Sequence, residues 1–184
     1  MAKHIVLGVT GSIAAYKACE LVRLFIKGGY GVSVVMTAGG EKFVTPLTFQ
    51  TLSRNPVCTA LFDEPAGWEP EHIGLADKGD ALVIAPCTAN VIAKLANGLA
   101  DDSLTSIALA CVKPLVIAPA MNVNMWNHPA TQTNIRTLRE RGALVLEPGE
   151  GALACGISAK GRMPEPAEIY GAVCEILDPG AKRK

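Results

Sequence analysis

The chain has 184 residues, 49% of them hydrophobic and 18% charged, enough for one domain with a sizeable core and too little for two ordinary ones. Lys plus Arg and Asp plus Glu both number 17, so the formal net charge is zero, and bulk electrostatics gives no support for binding nucleic acid or a membrane surface. Six cysteines, at 19, 58, 87, 111, 155 and 174, form no Cys-x-x-Cys pair, and the three histidines are scattered at 4, 72 and 128; this argues against a metal site or a disulfide framework and for reduced thiols in a cytoplasmic setting.

Met1 to Val9 lacks a long apolar leader core and a small-residue cleavage site, so no secretory signal is expected. Strands are predicted at Ile5–Val9, Gly31–Met36, Ala81–Ala85, Leu115–Ala118 and Ala143–Leu146, as continuous apolar runs of the kind covered on both faces. Helices are predicted between them at Ile13–Lys27, Glu41–Ser53, Thr88–Asn97, Leu104–Ala110 and Ala130–Arg141, and a last one at about Ala167–Leu177. Gly28-Gly29 and Gly142 stand where helix stops are expected. Neither of the most apolar stretches, Ala81–Ala100 and Ile107–Met121, reads as a membrane span, because Pro, Lys or Asn interrupts each.

Strand, helix, strand, repeated, implies right-handed crossovers and an α/β fold. The expected architecture is a three-layer, doubly wound parallel sheet of Rossmann or flavodoxin-like type. Residues 1–178 are expected to form the domain and 179–184 a basic tail. Two segments, Asp63–Glu71 and Pro148–Pro166, read as irregular loops able to cover a substrate.

In such sheets ligands bind beyond the carboxyl ends of the strands. Thr10-Gly11-Ser12 follows the first strand and opens a helix, which suits an anion seat of backbone N–H groups and a hydroxyl, or equally a Ser12 N-cap after a Gly turn. Gly8 and Gly11 do not make the Gly-x-Gly-x-x-Gly fingerprint, and Thr37 rather than an acidic residue ends the second strand, so NAD is not expected. Ala85-Pro86-Cys87-Thr88-Ala89-Asn90 is small and polar at a helix start and could let a planar ring approach the backbone. Pro119-Ala120-Met121-Asn122-Val123-Asn124-Met125-Trp126 reads as a loop, with Met and Trp off any helical stripe and Asn122 able to bind a carboxylate.

His72 stands ahead of a short helical segment, Ile73–Lys78. Its ring suits proton transfer, though a lone His is more often structural. Cys155 lies in the glycine-rich loop, whereas the other cysteines fall in or beside regular elements and read as small buried hydrophobes. Asp101-Asp102 before Ser103 reads as a helix cap.

Together these segments resemble the homo-oligomeric flavin-containing cysteine decarboxylases, and most closely the bacterial branch acting on 4′-phosphopantothenoylcysteine. The resemblance runs from about residue 3 to residue 177. Pro86-Cys87-Thr88-Ala89-Asn90-Val91 is a looser form of the family's Pro-Ala-Ser-Ala-Asn-Thr motif, while Pro119–Trp126 is a complete Pro-x-Met-Asn-x-x-Met-Trp. The active-site His matches His72. The cysteine of the Ala-Cys-Gly segment matches Cys155 in Ala154-Cys155-Gly156, with Gly161-Arg162-Met163 following.

The resemblance implies FMN as cofactor, its phosphate on Gly11, Ser12 and Ile13, with further contacts from Thr37, Thr88, Ala89, Asn90, Ser106 and Ala120. It implies substrate contacts from Asn122, Met125, Ala154 and Gly156, and catalytic roles for His72, Asn122 and Cys155. It implies a homo-oligomer, a trimer or a dodecamer of trimers, with the site between subunits. Ile157 stands where the clamp usually carries Asp, and Val91 where a Thr is usual. In the family's chemistry the CH2–S unit is first oxidised to a thioaldehyde, which accepts the electrons released with CO2. His72 would assist the deprotonation, Asn122 would orient the carboxylate, and Cys155 would protonate the ene-thiol so that the cycle closes redox-neutral.

Four other readings compete. A peptidyl-cysteine oxidative decarboxylase would share His72 and Asn122 and need no reducing cysteine. A flavin prenyltransferase would not carry the Met-Asn-x-x-Met-Trp segment. A non-catalytic FMN-binding regulatory subunit would bind a partner protein without turnover. A flavodoxin-like electron carrier would not need Cys155.

Overall fold

The computed structural model describes residues 2–61, 71–152 and 158–180. A parallel sheet is formed by β1 (His4–Val9), β2 (Gly31–Met36), β3 (Val57–Cys58), β4 (Ala81–Cys87), β5 (Leu115–Pro119) and β6 (Leu144–Val145), in the order β3-β2-β1-β4-β5-β6. With the two-residue β3 this is the Rossmann order; without it the remaining five follow the flavodoxin order, so both expectations meet in one sheet. The strand order reverses between β1 and β4, and the crevice for a ligand opens there.

Alternation along each strand divides the core in two. Ile5, Leu7 and Val9 of β1, with Val83 and Ala85 of β4, face α1 (Ala15–Lys27), α2 (Pro46–Ser53) and α8 (Pro166–Leu177). Val6, Leu82 and Ile84 face the other layer: α3 (Glu71–Lys78), α4 (Ala89–Asn97), α5 (Ser103–Ala110) and α7 (Pro129–Glu140). Each such buried aliphatic side chain contributes about 1.5–3 kcal/mol, which is why the strands read as unbroken apolar runs. On α1 the residues Ala15, Ala18, Leu21, Val22 and Phe25 are buried at helical spacing.

The expected helix stops hold. Gly28 donates its N–H to Leu24 O at the end of α1, and Gly142 takes a positive φ of 89° just beyond α7. Asp102 caps α5 in a reciprocal box with Thr105. At Gly8 an added Cβ would come within 2.5 Å of the Leu104 side chain, so α5 packs directly on the β1 backbone.

Four expectations need correction. β4 runs on through Pro86 and Cys87, with its register against β5 shifting between Ile84 and Cys87. The predicted helix Glu41–Ser53 is a 3-10 turn at Gly40–Lys42 followed by α2, because Pro46 cannot donate to a helix continued through it. The predicted loop Pro119–Trp126 contains a short helix, α6 (Val123–Asn127), whose Trp126 is buried in the second core. The predicted loop Pro148–Pro166 contains an antiparallel hairpin, β7 (Gly149–Ala152) and β8 (Ser158–Arg162). Its glycines, Gly151 and Gly161, take positive φ within the strands and hide the alternation that marks a hairpin in sequence.

Candidate active site

Thr10, Gly11 and Ser12 leave the end of β1 as a tight turn. Ser12 N–H donates to Thr10 O at 2.8 Å, and Ser12 Oγ accepts the Ala14 N–H at 3.3 Å. The helix N-cap is Ala14, so Ser12 closes the turn rather than capping α1. The Gly11 and Ile13 N–H groups donate to no described protein acceptor. Two open N–H groups beside the positive end of a 13-residue helix make a seat for a phosphate. An added Cβ on Gly11 would lie 3.1 Å from Gly39 Cα, so the chain after β2 closes one side of the seat.

The turn is tied to the end of β4. The fully buried Thr10 hydroxyl donates to Pro86 O at 2.8 Å and accepts the Thr88 N–H at 3.1 Å. Thr88 caps α4 by accepting the Val91 N–H at 3.4 Å. The two strand ends at the switch point are therefore held at one height.

Between them lies a cavity of about 490 Å³. One wall is the start of α1, with Gly11, Ser12, Ile13, Ala14, Tyr16 and Lys17; the floor is Thr88, Ala89 and Ala120. The far wall is Met121, Asn122 and Met125, and the roof is Gly161, Arg162 and Met163 of the hairpin and its exit. The surfaces are mainly methyl, methylene and thioether groups, which suits a flat ring.

Asn122 Oδ1 accepts the Asn124 N–H at 2.8 Å, which orients its amide at the start of α6. Met121 N–H donates to Gly161 O at 3.0 Å and so fastens the Asn122 loop to β8. Gly161 has φ of 152°, and an added Cβ would collide with Met121 O. Only glycine permits this approach.

Of the residues expected from sequence, Gly11, Ser12, Ile13, Thr88, Ala89, Ala120, Asn122 and Met125 all line this one cavity. Thr37, Asn90 and Ser106 are not part of its lining. Thr37 stands beside the β1 end, its N–H on Val9 O and its hydroxyl accepting the Gly40 N–H at 3.2 Å. Asn90 is exposed in the first turn of α4, and Ser106 lies half-buried on α5 in the opposite helical layer. His72 falls in the first turn of α3, and its side chain lies outside the described residues, as do Ala154, Cys155 and Gly156.

Sequence reasoning passed over Tyr16 and Lys17 on the cavity wall. Lys17 is one helical turn beyond Ile13, a spacing that could have revealed it. Its side chain is only 11% exposed and pairs with Glu165 Oε1 at 2.6 Å; Arg162 Nη2 lies 3.9 Å from the same oxygen. Burial pushes the Cys87 thiol well above its usual range, so the cysteine of the Pro86–Val91 segment is an inert core group. Among the described residues no group of three or more His, Cys, Asp or Glu could hold a metal ion, and no helix is long and apolar enough to cross a membrane.

A doubly wound α/β layer with a phosphate seat at its switch point and an apolar slot beside it defines a cofactor-binding protein of the Rossmann-like class. The particular assignment follows from residues 1–178, which match the Flavoprotein family: the chain belongs to that family. It is 50% identical over 167 residues to the coenzyme A biosynthesis bifunctional protein CoaBC of Bacillus subtilis, a match covering 91% of this chain and 41% of that protein. The chain thus spans about two fifths of the length of this curated relative.

Among solved structures it is similar to a cysteine-to-serine mutant of PPC decarboxylase complexed with pantothenoylaminoethenethiol. The TM-score is 0.84 at 34% identity, covering 94% of this chain and 97% of that one. It is also similar to the FMN-dependent cysteine decarboxylase SpaF, with TM-score 0.82, 33% identity and 95% of each chain covered.

Proposed function

We propose that the protein is an FMN-dependent decarboxylase that converts 4′-phosphopantothenoylcysteine to 4′-phosphopantetheine, a step in coenzyme A biosynthesis. The observation that carries this reading is the hydrogen bond from Met121 N–H to Gly161 O. It joins the Asn122 loop to the hairpin whose connection holds Cys155, on the wall of a cavity that begins at a phosphate seat. The similarity to the B. subtilis CoaBC protein and to PPC decarboxylase supports the same assignment.

The residues present fit FMN. The open Gly11 and Ile13 N–H groups would hold its phosphate, and Ala89, Ala120 and the Met121 and Met125 side chains would border its ring. Thr37, Asn90 and Ser106 would meet it from the other side of the β1 end. When bound, FMN supplies a two-electron oxidation of the substrate's CH2–S unit and its later reversal. The Asn122 amide orients the substrate carboxylate, and Met125 with the neighbouring apolar wall keeps water from it. Ala154 and Gly156 would flank the bound substrate. His72 takes up the thiol proton released as the CH2–SH unit is oxidised, and the Cys155 thiol returns a proton to the product after CO2 departs. Such proton-transfer groups contribute about 10²–10⁴ in rate.

The proposal includes a cytoplasmic homo-oligomer, a trimer or a dodecamer of trimers, acting through residues 1–178 with 179–184 as a basic tail. Exposed apolar side chains lining the cavity support an assembled site: Ile13, Tyr16 and Met125 are each 48–60% exposed. Light scattering on the purified protein measures the subunit number, and a monomer at micromolar concentration removes this part.

Mass spectrometry of the products formed from 4′-phosphopantothenoylcysteine, with the flavin spectrum followed in parallel, tests the function. The expected product has lost CO2 alone while the flavin returns to its oxidised form. A product lacking two further hydrogens would mark an oxidative decarboxylase of the SpaF kind. A coloured protein that releases no CO2 would mark a binding subunit.

A further inference from the structure

Two cations line the cavity that begins at the Gly11 seat, and the chemistry proposed above uses neither. Lys17, in the first turn of α1, and Arg162, at the end of β8, converge on a single oxygen, Glu165 Oε1, at 2.6 and 3.9 Å. One carboxylate against two cations leaves a net positive charge on that wall. The Arg162 guanidinium donates to no described acceptor within hydrogen-bond distance, although it is partly buried, with 39% of its side chain exposed. An arginine fork carries five N–H donors and matches a phosphate with two parallel bonds. The ammonium of Lys17 adds donors that Glu165 cannot all use.

We propose that Lys17 and Arg162 form a second anion subsite, which takes the phosphate of the substrate and selects phosphorylated over unphosphorylated cysteine conjugates. This rests on the function proposed above. The subsite and Asn122 line the same cavity, so an elongated substrate has a place for a group of each kind: its carboxylate at the Asn122 amide, its phosphate between Lys17 and Arg162, and its apolar backbone along Ala14, Met121 and Met163. A phosphate carries about −1.5 to −2 charges at neutral pH and outcompetes one carboxylate for this pair. The preference is therefore for a small phosphorylated conjugate over the C-terminal cysteine of a peptide.

The test compares 4′-phosphopantothenoylcysteine with pantothenoylcysteine in the holoenzyme and in its Arg162→Met, Arg162→Lys and Lys17→Met variants. Three readouts are taken: the ratio of kcat/KM for the two substrates, the ratio of calorimetric affinities for 4′-phosphopantetheine and pantetheine, and the FMN dissociation constant from flavin fluorescence. The parent is expected to favour the phosphorylated member by about tenfold or more, the value of a charge-assisted pair of bonds. Arg162→Met and Lys17→Met should bring both ratios towards one, with Arg162→Lys between, while FMN affinity stays at the parental level. If Arg162→Met does not fold, the other two variants decide.

Ratios retained in the variants overturn the subsite, as does a loss of FMN affinity in step with the loss of substrate preference, which would give the cations to the cofactor's phosphate. Absence of CO2 release from either substrate in the parent overturns the decarboxylase reading instead, and the calorimetric ratios then still decide the subsite.

Discussion

Thr88 donates its backbone N–H to the Thr10 hydroxyl across the switch point, at 3.1 Å, and the hydroxyl in turn donates to Pro86 O at 2.8 Å. Thr10 is fully buried, so its hydroxyl cannot turn to water instead. Thr10→Val keeps the shape and removes the bonds. It should cost about 1–3 kcal/mol, the penalty for leaving buried polar groups unsatisfied. FMN affinity should fall with it, because the seat and the α4 start lose their common height. Thr10→Ser should recover most of both. Urea unfolding and a flavin fluorescence titration measure the two effects, and an unperturbed valine variant would remove the link.

Gly161→Ala tests the joint between the hairpin and the Asn122 loop. The alanine Cβ would meet Met121 O in a backbone conformation reserved for glycine. A loss of about 1–3 kcal/mol is expected, with a larger proportional loss of turnover than of FMN affinity, since the seat at Gly11 lies on another element. Equal losses of both would mean that the variant disturbs the whole domain.

Cys155→Ser separates decarboxylation from the closing reduction. The oxidised ene-thiol product should accumulate while the flavin stays reduced. Saturated product formed at the parental rate would take Cys155 out of the chemistry.

His4 predicts a pH dependence of stability that is independent of catalysis. Burial, then the Lys78 ammonium, hold its ring below the ordinary value of 6.5, against an opposing pull from Asp80. The unfolded chain therefore takes up the proton first as pH falls. The stabilisation is present above about pH 6.5 and is lost as pH drops through that value towards the lower folded one. The urea midpoint should decline between about pH 7.5 and pH 5.5, and His4→Asn should flatten that decline at the cost of the bond to Ser33 Oγ. A parental midpoint that rises on acidification would contradict the assignment.

The hairpin shows where sequence reading runs out. Gly149 to Arg162 holds glycines at positive φ and little apolar alternation, so its composition reads as loop. Its pairing is decided by tertiary contacts: Lys160 pairs with Glu147 at 2.6 Å and stands over the Trp126 ring at 5.8 Å, and Met121 N–H holds Gly161. Trp126 itself stood off any helical stripe in the sequence. In the fold it fills the second core, and Met125 beside it faces the cavity instead.

By itself the sequence determined what depends on neighbours along the chain. Apolar runs with glycine and proline punctuation specified five of the six strands of the parallel sheet and most helices, and the short Thr10–Ser12 and Pro119–Trp126 segments marked the two sides of the site. Only the tertiary structure decided which distant residues meet. Lys17 lies far along the sequence from Arg162 and Glu165, which are themselves only three residues apart. They converge because α1, the hairpin and the start of α8 are packed at the same end of one sheet. The place of Lys17 in this cluster is a property of packing, and local spacing holds no record of it.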